Sequence, residues 1–278
     1  MNIRSVLVLL AFVFTAQAAD LKRETLSAWE TYVRSATVQM QQRLRPDQPF
    51  LKLDEDHELM SNVKNGQIVI LHNGSKGVKK VPSGLVHDWS GAAFIPGATL
   101  NQVFSVTRDY DHYKDFYRPN VVDSKAVSSG QAETRFSMVL MNKSALVNVA
   151  IEGDYRCLFF QVDEHRWYSM SETTRMREIE NYGAPNQREL NDGQGAGLIW
   201  RLFSIVRFEE RDGGVYIELE AIALSRDIPI SLRWLVEPIV SRLSRSSLMT
   251  SLRQTEDAVR SRPMLLTDSV DITRPGAR

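Results

Sequence analysis

One cysteine, Cys157, stands in 278 residues, so no internal disulfide can brace the chain and the fold must rest on its core. An excess of charge of one sign is also missing. Lys and Arg number 34 and Asp and Glu 34, giving a formal net charge of zero. Broad attraction to nucleic acid needs accumulated basic charge, so nucleic acid is not an expected partner. Beyond the N-terminal run, no segment approaches the ~20 apolar residues of a spanning helix, which leaves no expected transmembrane segment. Chemical signatures are absent too. There is no GxSxG elbow, no HExxH, no Walker loop and no GxGxxG, and "GQGAGLIW" at 193–200 leads into a strand as a loop. The histidines at 57, 72, 87, 112 and 165 have no paired ligand spacing, so neither a metal nor a cofactor is expected.

The first residues carry an address. Arg4 precedes the apolar run "VLVLLAFVFT", and "AQA" at 16–18 offers small side chains for cleavage. This reads as a signal peptide over residues 1–18 and a secreted mature chain. An exported chain with a single cysteine suits a bacterial periplasm. Residues 19–60 read as an N-terminal helical extension, 61–262 as one domain, and 263–278 as a disordered tail.

Helical spacing runs through Leu26, Trp29, Val33, Met40 and Leu44 and stops at Pro46. "PDQPFLKLDEDHELMSN" reads as a loop with an acidic tract, and "GQIVILHNGSKGVKKVPSGLVHDW" as two short extended runs. Leu100, Val103, Phe104 and Thr107 share one face of a second helix. Extended segments follow at 121–128, 132–141, 145–161, 166–180, 198–210 and 214–225, separated by short turns that require antiparallel neighbours. Cys157, inside "YRCLFF", reads as a packed thiol in a strand. A helical pattern returns after Pro229, with six arginines against three acids between 229 and 262. That modest basic excess would serve either a solvated face or a transient membrane contact.

The last hairpin fixes a register. With Asp212 and Gly213 as its turn, Arg207 faces Glu218, while Phe208, Val206, Ser204 and Leu202 face Ile217, Leu219, Ala221 and Ala223. The ion pair is expected to face solvent and the apolar, small-residue face to point inward. Room left by small side chains can hold a helix or a ligand.

The stretch "VTRDYDHYKDFYRPNVVDSK", with Asp109, Tyr110, Tyr113, Phe116, Tyr117, Pro119, Val121 and Ser124, resembles the START-like (SRPBCC) superfamily, which includes polyketide cyclase and coenzyme Q-binding families. "SETTRMREIE" and "EAIALSRDIP" extend the resemblance. It implies an α+β helix-grip fold: a curved antiparallel sheet of about seven strands around a long C-terminal helix, with an apolar cavity between them. The expected partner is a hydrophobic small molecule such as a lipid, a sterol-like compound, a quinone or a polyketide. Tyr110, Phe116 and Tyr117 from the helical junction are expected to line that cavity, with Phe136, Met138 and Leu140 from one strand. Trp200, Leu202, Ser204 and Val206, then Leu219, Ala221 and Ala223, come from the last hairpin, and Leu235 and Ile239 from the terminal helix.

Three readings remain open on sequence alone. A carrier needs only the apolar cavity. A cyclase- or hydrolase-like enzyme needs a buried acid or arginine there, for which Asp154, Arg156, Glu172, Arg175, Arg177, Glu178, Arg201, Arg207, Glu218 and Glu220 are the strand candidates. A non-catalytic interaction module would fill the space with its own side chains.

Overall fold

The computed structural model describes residues 20–72, 77–130, 132–143, 148–195, 197–227 and 230–262. Its sheet joins β1 (Val69–His72), β2 (Val78–Val81), β3 (Gly84–Pro96), β4 (Val121–Ser129), β5 (Glu133–Lys143), β6 (Asn148–Gln161), β7 (Arg166–Glu180), β8 (Arg188–Glu189), β9 (Arg201–Arg211) and β10 (Gly214–Arg226). The order is β1-β3-β10-β9-β7-β6-β5-β4, with β2 on β3 and β8 on β7, and every pairing is antiparallel. The ten strands among the described residues exceed the expected seven by the short β1, β2 and β8. The sheet is curved and unclosed.

Five α-helices among the described residues attach to it: α1 (Arg23–Gln42), α2 (His57–Lys64), α3 (Leu100–Thr107), α4 (Tyr113–Phe116) and α5 (Ile230–Ser261). One side of the sheet, the inner face, packs against α3, α4 and the C-terminal half of α5. Val103, Val106, Leu252 and Val259 share a buried cluster there with Ala93, Phe208 and Ile217. This is the helix-grip arrangement. Gly91 permits the close approach of α5, because a Cβ at this position would come within 2.8 Å of Leu252 Cδ1 and 2.7 Å of Ile70 Cδ1.

The opposite, outer face carries α1 and α2. Trp29, Ala36 and Met40 recur along one side of α1 and sink into a cluster with Val86, Phe94, Ile205, Tyr216 and Ile222. The segment read as an acidic loop contains α2, which Asp56 caps by accepting from the backbone N–H groups of Glu58 (3.0 Å) and Leu59 (3.1 Å). The sequence reading also undersized β3, whose "HDWSGAA" core is poor in β-formers. Both its faces are covered, so nearly the whole strand is buried and small side chains suit the two close layers.

Beneath α1 lies a buried ionic network, and here the sequence expectation is corrected. The register of the last hairpin is as read, with Glu218 opposite Arg207. The pair does not face solvent, however: Arg207 is 1% exposed and Glu218 3%. Arg207 donates to Glu218 Oε1 (2.8 Å), Glu220 Oε2 (3.2 Å) and Met40 Sδ (3.1 Å). Glu218 also accepts from the Leu53 backbone N–H (3.0 Å), and Glu220 from Lys52 Nζ (2.9 Å). Alternation along a strand separates two faces but does not say which one another part of the chain covers. Burial alone would raise the Glu220 pKa, yet Lys52 and Arg207 outweigh it and hold the carboxyl below its ordinary value.

Removing one member of such a network strands the others. Arg207→Ala is expected to lower unfolding free energy by ~3–5 kcal/mol. Arg175→Ala, which breaks a pair with Asp154 at a half-exposed site, should cost under ~1 kcal/mol. Urea unfolding of both variants checks the contrast, and equal losses would contradict the buried assignment.

Candidate ligand-binding face

The inner face has a graded floor. Across its middle, Leu202, Ser204 and Val206 of β9 lie opposite Ala223, Ala221 and Leu219 of β10, and all six are only half-buried. On the reverse of the same strands, Phe203, Ile205, Arg207, Glu218, Glu220, Ile222 and Leu224 are all buried. The polar backbone is satisfied within the sheet, so what this floor offers is small and mostly apolar side-chain surface.

At the hairpin-turn end, Phe104 of α3 meets Phe159, Trp167 and Phe208 edge-on, with centroid separations of 6.2, 5.4 and 5.3 Å. These rings close that end. Toward β5, Phe136 stacks between Tyr110 (4.1 Å) and Tyr155 (4.8 Å). Both tyrosine hydroxyls are buried without a hydrogen-bond partner among the described residues. Between the two groups lies Cys157, opposite Ser171, which in turn lies opposite Ser204. Burial pushes the Cys157 thiol up to about 11, against the pull of nearby Tyr110, Ser169 and Ser171, so at neutral pH it is a protonated, packed thiol.

The other end holds His87. Its Nε2 is 2.9 Å from Ser225 Oγ, while Nδ1 has no partner among the described residues. The ring is 7% exposed. Burial lowers its pKa to about 4, so the imidazole is neutral at pH 7.

The junction that opened the family resemblance packs this face. Asp109 takes a 2.7 Å hydrogen bond from His112 Nδ1 and pairs with Arg262. Burial would raise the Asp109 pKa, but these two partners hold it down. Tyr113 donates to the Thr107 carbonyl at 2.5 Å, and Tyr117 shares a 3.0 Å hydrogen bond with Thr255 of α5. Val121 begins β4 just after Pro119.

Tyr110, Phe116, Phe136, Met138, Leu202, Val206 and Leu219 belong to or pack on the inner cluster. Tyr117 meets α5, and Leu140 is half-buried at the far end of β5. Trp200 is a correction. It precedes β9 and sits in the outer cluster with Trp29 and Val81, where the positive-φ Gly195 and Gly197 turn the chain before the strand alternation starts. Leu235 and Ile239 fall on α5 outside the residues whose side chains are described.

The strand ions expected at the cavity end are otherwise engaged. Asp154 pairs with Arg175, Arg156 with Glu172, Arg177 with Glu152 and Glu189, and Arg201 with Asp192. Glu178 accepts from the backbone N–H groups of Gly197 (2.8 Å) and Leu198 (3.3 Å). Sequence reasoning missed His87 and the serines at 169 and 171. The alternation of Trp167, Ser169, Ser171 and Thr173 in "RWYSMSETT" was the available signal. A separate open groove of about 1170 Å³ lies on the outer side between α1 and β2, but Glu24, Lys52, Lys79, Lys80 and Asp88 line it, which suits an apolar ligand poorly.

No protein-family model matches the chain, and no curated protein matches it. Solved structures do. A fragment of a STAR-related lipid transfer protein from Xanthomonas axonopodis is 16% identical, covers 69% of this chain and 98% of its own, and has a TM-score of 0.47. Human STARD10 is 9% identical, covering 78% and 84%, at a TM-score of 0.41. The Zhui aromatase/cyclase from a Streptomyces species is 14% identical, covering 63% and 97%, at 0.39. These are likenesses in the path of the chain.

The His87 ring gives the face a pH signature. An unfolded histidine takes up a proton below about 6.5, whereas the folded ring resists until about 4. Its contribution is therefore whole above pH 6.5 and is lost as pH falls from 6.5 to 4, by roughly 3 kcal/mol. Urea midpoints measured across this window should fall steeply in the parent and less steeply in His87→Gln. Parallel curves would contradict the burial.

Proposed function

We propose that this protein is exported and binds a hydrophobic small molecule on the inner face, between the sheet and its helices. The observation that carries this reading is the asymmetry of β9 and β10. Their charged face is sealed under the N-terminal extension, while Leu202, Ser204, Val206, Leu219, Ala221 and Ala223 on the apolar face remain partly exposed. A partly exposed apolar floor gains ~25 cal/mol for each Å² of ligand surface it removes from water. Small side chains at 204, 221 and 223 set the depth available, and the aromatic cluster around Phe104 stops the ligand at the turn end. Lipid, sterol-like, quinone and polyketide chemistries all fit such a surface. Export rests on the first 18 residues of the sequence.

Mass spectrometry of an organic extract from natively purified protein should find a hydrophobic molecule near one per chain. Repeatedly empty protein would count against the reading. Ala221→Phe and Ala223→Phe should each displace ~60 Å² of ligand contact, costing ~1.5 kcal/mol or about a tenfold loss of affinity, with the circular dichroism spectrum unchanged. Unaltered uptake by folded variants would move the site off this floor.

A further inference from the structure

Arg108 is a half-buried cation on the inner side of the fold, where a charge without a carboxylate partner is costly. It caps the C-terminal end of α3, and its guanidinium carbon lies 4.7 Å from the centroid of the Phe159 ring, on the inner cluster. No carboxylate pairs with it among the described residues; the adjacent Asp109 is taken by His112 and Arg262. Next along the chain, Tyr110 is 3% exposed, and its hydroxyl has no hydrogen-bond partner among the described residues. That hydroxyl lies beside Cys157, whose cross-strand neighbour Ser171 also has an unpartnered, buried Oγ. A guanidinium and two buried hydroxyls whose nearest polar neighbour is the weakly bonding Cys157 thiol thus gather beside an apolar floor.

Buried polar groups without partners are costly and few, so a cluster of them beside an unpaired cation asks for a complementary group. Its chemistry follows from the inventory. The arginine brings one positive charge and several N–H donors, and the hydroxyls can donate without adding charge. One formal negative charge with two acceptor oxygens balances this set; a dianion leaves a charge uncompensated. Aliphatic and aromatic side chains on either side fit a hydrocarbon attached to that anion.

Resting on the inner-face reading above, we propose that the ligand is an amphiphile with a carboxylate head, seated so that the carboxylate meets Arg108 and the hydroxyls of Tyr110 and Ser171 while its chain lies along the floor toward Ala221 and Ala223. Arg108 then works as a specificity residue: the floor supplies affinity for any oily chain of suitable size, and the guanidinium selects the anion.

Calorimetric titration of the full mature chain at pH 8 with dodecanoate and with dodecanol tests this. The parent protein should bind the acid about tenfold or more tighter than the alcohol. Arg108→Met should weaken dodecanoate by about tenfold or more and leave dodecanol within about twofold, which also reports that the variant is folded. Tyr110→Phe, which removes a hydroxyl whose polar neighbour is the weakly bonding Cys157 thiol, should weaken dodecanoate alone by about threefold to tenfold. Equal affinity of the parent for acid and alcohol overturns the head-group assignment and leaves the hydrophobic site standing, as does an acid preference that survives Arg108→Met. Failure of the parent to bind either compound overturns both.

Discussion

The structure depends on keeping one arginine dry. Arg207 sits in the middle of β9, and its charge is tolerable there only because Glu218 and Glu220 lie across the strand pair and because Met40, Lys52 and Leu53 complete the shell from the N-terminal extension. A buried ion pair is weak evidence for stability, since apolar residues of similar volume can do as well. What it enforces here is registration. The helix α1 and the turn after it must dock in one place, or the Arg207 triad loses its cover together with the contacts from Met40, Lys52 and Leu53.

That docking decides which side of the sheet is free for chemistry. Once the outer face of β9 and β10 is sealed, the inner face is the side of these strands that keeps partly exposed apolar side chains. Its polarity runs in a gradient, from neutral His87 and Ser225 at one end, across alanines and serines, to the aromatic cluster and Arg108 at the other. Specificity in such a site comes from few groups. Apolar contact area discriminates weakly between molecules of similar size, whereas a buried donor left without an acceptor penalises the wrong ligand.

Much of the sheet was legible in the sequence because alternation, turns and cross-strand pairing are local. The hairpin register from Arg207–Glu218 to Leu202–Ala223 followed from the turn alone, and the six long strands from β4 to β7 and β9 to β10 lie close to their expected bounds. What was not legible depended on contact between distant parts of the chain. Charge at 207, 218 and 220 argued for solvent, and only the docked extension reverses that. β3 looked like a weak, short strand because its alanines, glycine and serine are chosen for two-sided burial and not for β-propensity. Arg108 was hidden for the opposite reason: in sequence it is one more charged residue at a helix end, and what sets it apart is the pairing of its neighbours.

The placement of β3 at the heart of the sheet has a consequence for how the molecule comes into being. Gly84 meets Arg226 and Pro96 meets Gly214, so each rung of this central ladder closes a loop of more than a hundred residues. Loop closure of that size must precede the reward of pairing, which makes this ladder a late event in folding. Until the final strand has been synthesised, β3 can pair only with the short β1 and β2, and the edge that β10 will occupy stays open. A chain built this way stays unfinished until nearly its whole length is available.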